Sequence, residues 1–155
     1  MDIKDKILST PIASFLDKLY LENATCFDID KAYSLLSDSP KDSVKRMLAN
    51  MVKRGLLMRI KDGIYYIIPF EQNAETFMPD WHLLAQYLVG DAKYYIGYFS
   101  ALQILSLTTQ PALQEQIVVN KQVKPTTLRI KDIPFQFICH NEEHFFGEKK
   151  TWIDS

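Results

Sequence analysis

The sequence predicts an α+β protein of two domains, and three observations predict it. Helical apolar spacing recurs three times before position 55, then gives way at Gly55 to a period of two. An Asp62-Gly63 pair, a strong short hairpin signal, divides two apolar strands. After Pro79 a new pattern begins, helices first and strand-like runs later, which suits α+β order rather than alternating β-α-β units.

The elements follow in order. Thr10-Pro11 reads as a helix start, a hydroxyl cap followed by proline at the first helical position. Ile12, Phe15, Leu16 and Leu19 then give one apolar face through about Tyr20, and positions 23–25 break it. A second short helix follows an aspartate cap, Asp28 or Asp30, with Ile29, Ala32, Tyr33 and Leu36 as its stripe. Ser39 and Pro40 are placed as cap and first residue of a third helix, where Asp42 complements the helix dipole. Val44, Leu48, Met51 and Val52 form its buried stripe, and Gly55 stops it. The hairpin that follows sets Lys61 opposite Ile64 and Arg59 opposite Tyr66, on a type I′ turn. Three short helices followed by a tight hairpin is the order of a winged helix-turn-helix, assigned to residues 1–72.

Net charge is −1, which argues against nucleic acid, but its distribution argues for it. Seven basic residues and one acid, Asp42, lie between positions 39 and 61, while residues 1–38 and 62–120 are both net acidic. A localised basic block is the footprint of a phosphate-binding surface. Opposite the apolar stripe of the third helix lie Asp42, Ser43, Arg46, Ala49, Asn50 and Lys53. In a major groove, Arg46 suits guanine and Asn50 suits adenine, each bidentately. Ser39 and Ser43 suit base or phosphate, and Lys41, Lys45 and Lys53 suit phosphate. Arg59 and Lys61 on the wing reach the adjacent backbone or minor groove. The competing reading is a solvated charged face.

Residues 70–79 read as a linker, and 79–155 as an α+β domain that is incomplete. A helix runs from Asp80 to about Val89, a short apolar run covers 94–96, and another helix holds Phe99, Leu102, Ile104 and Leu105. Strand-like runs fall at 116–119, 126–130 and 135–139. Tyr94, Tyr95 and Tyr98 read either as core, the weightier alternative, or as a partner-binding surface.

Two stretches resemble one family: VKRGLLMRIKDGIY at 52–65, and YYIGYFSAL at 94–102 continuing to LTTQ at 107–110. Together they resemble the AbiEi-type antitoxins, transcriptional regulators of bacterial abortive-infection (type IV toxin–antitoxin) systems, over about residues 10–146. The resemblance implies a winged helix that binds double-stranded operator DNA, an inverted repeat in its own promoter, and represses transcription. It also implies a second domain that counters a nucleotidyltransferase-like toxin. The family continues past the equivalent of Trp152, Ile153 and Asp154, so the resemblance implies a C-terminally shortened member. The alternative is a protein-interaction module in which the winged helix and the aromatic second domain dock a protein partner.

Other classes find little support. Pro79-Asp80 with Glu148-Lys149-Lys150 imitates a nuclease metal motif, but no apolar strand runs into Glu148. Cys139, His140 and His144 give three local zinc ligands without a fourth. His82 has no evident catalytic partner, and there is no glycine-rich phosphate loop or nucleophile elbow. The expectation is therefore no enzyme, no metal and no cofactor. No apolar run approaches a membrane span, the N-terminus lacks a secretory pattern, and Cys26 and Cys139 read as reduced thiols of a cytoplasmic protein.

Overall fold

A computed structural model describes residues 6–150. The N-terminal residues 1–5, and Trp152, Ile153 and Asp154 at the other end, lie outside the described residues. The chain is α+β and divides into two compact units, Met1–Pro79 and Asp80–Ser155.

The first unit runs α1 (Thr10–Leu21), β1 (Cys26–Asp28), α2 (Ile29–Leu35), α3 (Lys41–Lys53), β2 (Leu57–Lys61) and β3 (Ile64–Ile67). Its strands form an antiparallel sheet in the order β1-β3-β2. The expected stripes meet in one core: Ile12, Phe15, Leu16 and Leu19 from α1, Ala32 from α2, and Val44, Leu48 and Met51 from α3 are all buried. Ile29, Tyr33, Leu36 and Val52 pack partly buried around them. Phe27 centres the aromatic part, edge-on to Phe15 and stacked on Tyr65, both at 5.7 Å between ring centroids.

The helix ends correct the expected caps. Ser9, not Thr10, precedes α1, and Pro40, not Ser39, precedes α3; neither supplies a side-chain cap bond. The Pro40 carbonyl instead accepts from the amides of Ser43 and Val44, so α3 winds without a hydroxyl. Asp28 is the aspartate that caps α2, accepting from the Lys31 amide at 2.8 Å. At the far end of α3, Gly55 has φ +71, its amide reaches the Val52 carbonyl, and the Leu56 amide reaches that of Met51. This is a Schellman stop, which needs the left-handed conformation that glycine adopts without strain.

The hairpin register also differs from expectation. Arg59 faces Tyr65 rather than Tyr66, because an irregularity between Arg59 and Lys61 adds a residue to β2. A type I′ turn needs positive φ at both central residues, and only Gly63 has it. The turn does not stand free: the Gly63 carbonyl accepts from the Ile29 amide at 2.7 Å. The segment read as a linker folds back on the same unit, with the Phe77 ring against Tyr66 and Lys6 bonded to the carbonyls of Pro69, Phe70 and Gln72.

The second unit contains α4 (Trp81–Val89), β4 (Tyr94–Ile96), α5 (Tyr98–Ile104), β5 (Glu115–Val119), β6 (Thr127–Ile130), β7 (Ile133–Cys139) and a 3-10 turn, Glu142–His144. The sheet is mixed, ordered β4-β5-β7-β6, with β5 parallel to β7 and the other pairs antiparallel. Ile117, Val118 and Val119 of β5 are fully buried, as a central strand covered on both faces requires. Among the described residues no helix is long and apolar enough to cross a membrane.

Candidate nucleic-acid interface and a second groove

The third helix separates its residue types sharply. Val44, Leu48 and Met51 face the core, and at about 100° per residue Arg46 lies diametrically opposite them. Asp42, Ser43, Lys45, Arg46, Ala49, Asn50 and Lys53 are all exposed. The exposed Arg46 side chain donates weakly through Nε to the Asp42 carbonyl at 3.4 Å. Among the described residues nothing pairs with the Lys45 or Lys53 ammonium or with the Asn50 amide, and no acid but Asp42 stands on the face. Six donor-bearing or polar side chains along about three exposed turns of helix make a surface that can meet an anionic, hydrogen-bonding partner.

The remaining expected residues are placed differently. Ser39 is exposed in the connector before α3. The Lys41 ammonium lies over the Tyr33 ring, 5.1 Å from its centroid, which turns it toward α2 and away from Arg46. Arg59 is exposed and ion-paired with Asp62 across the turn. Lys61 is half-buried, and that burial holds its ammonium below the usual lysine range. Arg54, counted in the basic block, donates to the Ile7 carbonyl at 2.9 Å and so ties the N-terminal segment down.

Tyr94 and Tyr98 are exposed, 37% and 50%, and Tyr95 is half-buried, so these rings are not the core of the second unit. They line a groove of about 920 Å³. Its walls include His82 from α4, Ala101 and Ile104 from α5, and Phe145, whose ring meets Tyr95 edge-on at 5.0 Å. Burial raises the Tyr95 phenol above its usual range, and the neighbouring Tyr98 and Glu148 add to this. Lys93, Lys149 and Lys150 share the lining with Glu142 and Glu148, and Lys93 and Asn120 hold the Glu142 carboxyl below its usual range. The His82 ring bonds the Asp80 carboxylate through Nδ1 at 3.0 Å, while its Nε2 is buried and unpartnered.

Three features of this segment escaped sequence reasoning. Gly97 sits where a Cβ would come within 2.8 Å of Val118 Cγ2, so its role is close approach. Ser100 is 1% exposed; its hydroxyl donates to the Glu115 carboxylate at 2.7 Å and accepts from the Gln116 amide at 3.0 Å. Tyr98 has φ +50, a conformation that costs a bulky residue energy, and its hydroxyl meets His140 Nε2 at 3.0 Å. Nothing local in the sequence signals these, since each depends on β5 or β7.

Among the described residues no three His, Cys, Asp or Glu side chains gather as a metal site. No protein-family model and no curated protein sequence matches the chain.

Proposed function

We propose that the chain is a sequence-specific DNA-binding transcriptional regulator whose first unit is a winged helix-turn-helix. The observation that carries the reading is α3: its buried face is wholly apolar, and its exposed face holds Ser43, Lys45, Arg46, Asn50 and Lys53 with one acid. Such a helix fits the major groove, about 12 Å wide. Arg46 and Asn50 are its base-reading side chains, and Lys45 and Lys53 its phosphate contacts. The α-β-α-α-β-β order and three-stranded antiparallel sheet support the winged-helix reading. By its resemblance at 52–65 and 94–110, we assign the protein to the AbiEi-type antitoxins, autoregulating an operator with an inverted repeat and countering a nucleotidyltransferase-like toxin.

The test is fluorescence anisotropy of the full chain on labelled duplexes that carry an inverted repeat, across a salt series. Binding should weaken steeply with salt, and Lys45→Ala or Lys53→Ala should each reduce the logarithmic slope by about 1. Arg46→Ala and Asn50→Ala should each cost about 1–3 kcal/mol of base discrimination. Unchanged affinity in both variants would overturn the recognition-helix assignment.

A further inference from the structure

The second unit has β4 at one edge of its sheet. Among the described residues β4 pairs with β5 alone, in the register Tyr94↔Val119, Tyr95↔Val118, Ile96↔Ile117. The Asn120 amide bonds the Lys93 carbonyl and the Gly97 amide bonds the Gln116 carbonyl, which fixes the parity of the ladder. Lys93, Tyr95 and Gly97 turn their backbone groups toward β5; Tyr94 and Ile96 turn theirs away. Two N–H and two C=O groups therefore project from the free edge, and both residues line the groove. The opposite edge, β6, carries the exposed Arg129 in its middle, a charge of the kind that discourages strand addition. β4 carries no charge or proline. Its three residues are too few to hold a strand by backbone bonds alone, so an occupant must also use the groove walls.

We infer that the free edge of β4 and the aromatic groove beside it take up an extended segment of a protein partner, which adds to the sheet as a fifth strand. Backbone bonds to Tyr94 and Ile96 set its register, as in other strand additions. Its apolar side chains meet the rings of Tyr94, Tyr95 and Phe145, and its acidic side chains meet Lys149 and Lys150. The inference does not depend on DNA binding by the first unit.

The experiment selects from a phage-displayed random dodecapeptide library on the full chain, then measures synthetic peptides by titration calorimetry. Enriched peptides should alternate apolar and acidic residues. Ile96→Ala removes the side chain and keeps the N–H; Ile96→Pro also removes the N–H, at a position where an edge strand tolerates proline. The proline variant should bind about 3- to 10-fold more weakly than the alanine variant, the share of one backbone hydrogen bond. Peptides N-methylated one residue at a time should lose binding at alternate positions only, a readout that needs no variant to fold. No enrichment, or an N-methyl scan without alternation, overturns the proposal. Equal binding by the two Ile96 variants overturns it as well.

Discussion

Replacing Gly97 by alanine tests the packing on which the groove depends. Gly97 follows β4, and its φ of −121° suits any residue, so backbone strain is not at issue. The obstacle is space: the new methyl would lie 2.8 Å from Val118 Cγ2 and 3.2 Å from Tyr95 Cε2. Val118 is 0% exposed on the central strand β5 and has nowhere to withdraw, whereas Tyr95 is half-buried and can tilt. Overpacking of this kind costs about 1–3 kcal/mol, and the lower unfolded-state entropy of alanine returns about 0.4–1 kcal/mol. The net expectation is a loss of about 1–2 kcal/mol. The assay is urea unfolding followed by tryptophan fluorescence. Both tryptophans, Trp81 and Trp152, belong to the second part of the chain, so the signal reports on that unit. With a slope of about 1.5 kcal/mol per molar for a unit this small, the midpoint should fall by about 1 M. Val118→Ala opens the space the methyl needs. In the double variant the two losses should therefore sum to less than their separate values, a coupling of about 0.5 kcal/mol or more. A Gly97→Ala variant as stable as the parent, or strictly additive losses with Val118→Ala, would refute the close-approach account.

Three further outcomes follow from two buried side chains of the first unit, Cys26 and Lys6. Burial pushes the Cys26 thiol up to about 12, so in the native chain only Cys139 should react with Ellman's reagent at pH 8, and Cys26 should react at the rate of unfolding. Because the folded value is raised, the unfolded thiol ionises first. The stability Cys26 contributes is whole below about pH 9 and is lost as pH rises from there toward 12, which denaturant midpoints across that range will register. Lys6 is 4% exposed and donates to three carbonyls, those of Pro69, Phe70 and Gln72, at 3.0, 3.0 and 2.7 Å. Lys6→Met keeps the stem and leaves those acceptors unmade, at about 1–3 kcal/mol if they stay dry. Limited proteolysis should then cut within 70–79 several times faster, and an unchanged cleavage rate would show that Lys6 does not hold the segment.

What the sequence reveals of this fold is what is local and periodic. The buried stripes of α1 and α3 can be read residue by residue, because Ile12, Phe15, Leu16 and Leu19, or Val44, Leu48 and Met51, repeat within one helix. The Gly55 stop is equally local. β1 is not, for three residues are too short to show alternation, and Cys26, Phe27 and Asp28 become a strand only by pairing with β3 some forty residues on. The hairpin register is legible only next to the turn: Asp62-Gly63 sets Lys61 opposite Ile64, as observed, but the irregularity in β2 between Arg59 and Lys61, which no local signal marks, moves Arg59 from Tyr66 to Tyr65. The expected cations divide along the same line: Lys45, Arg46 and Lys53 stand where helical spacing puts them, while Lys41, at the start of the same helix, lies over Tyr33 and Arg59 pairs with Asp62.

The segment 94–110 makes the same point from the other side. Its aromatic run looks apolar enough to be core, and a hydropathy argument favours that reading. Yet the core of the second unit is built from β5, with Phe135 and Phe137 of β7 and Leu84 and Leu88 of α4. Once β5 is central, Tyr94 and Tyr98 must fall at the sheet edge and at a helix start, where burial is partial. What holds them there is not hydrophobicity but shape and hydrogen bonding: the missing Cβ at Gly97, the Ser100–Glu115 bond, and the Phe99 amide on the Gln116 side chain at 3.2 Å. These small, buried, polar constraints position exposed rings beside an open strand edge. The core reading of Tyr94, Tyr95 and Tyr98 thus fails for a non-local reason, because their partial exposure follows from β5 being central and from contacts that hydropathy along the chain does not encode.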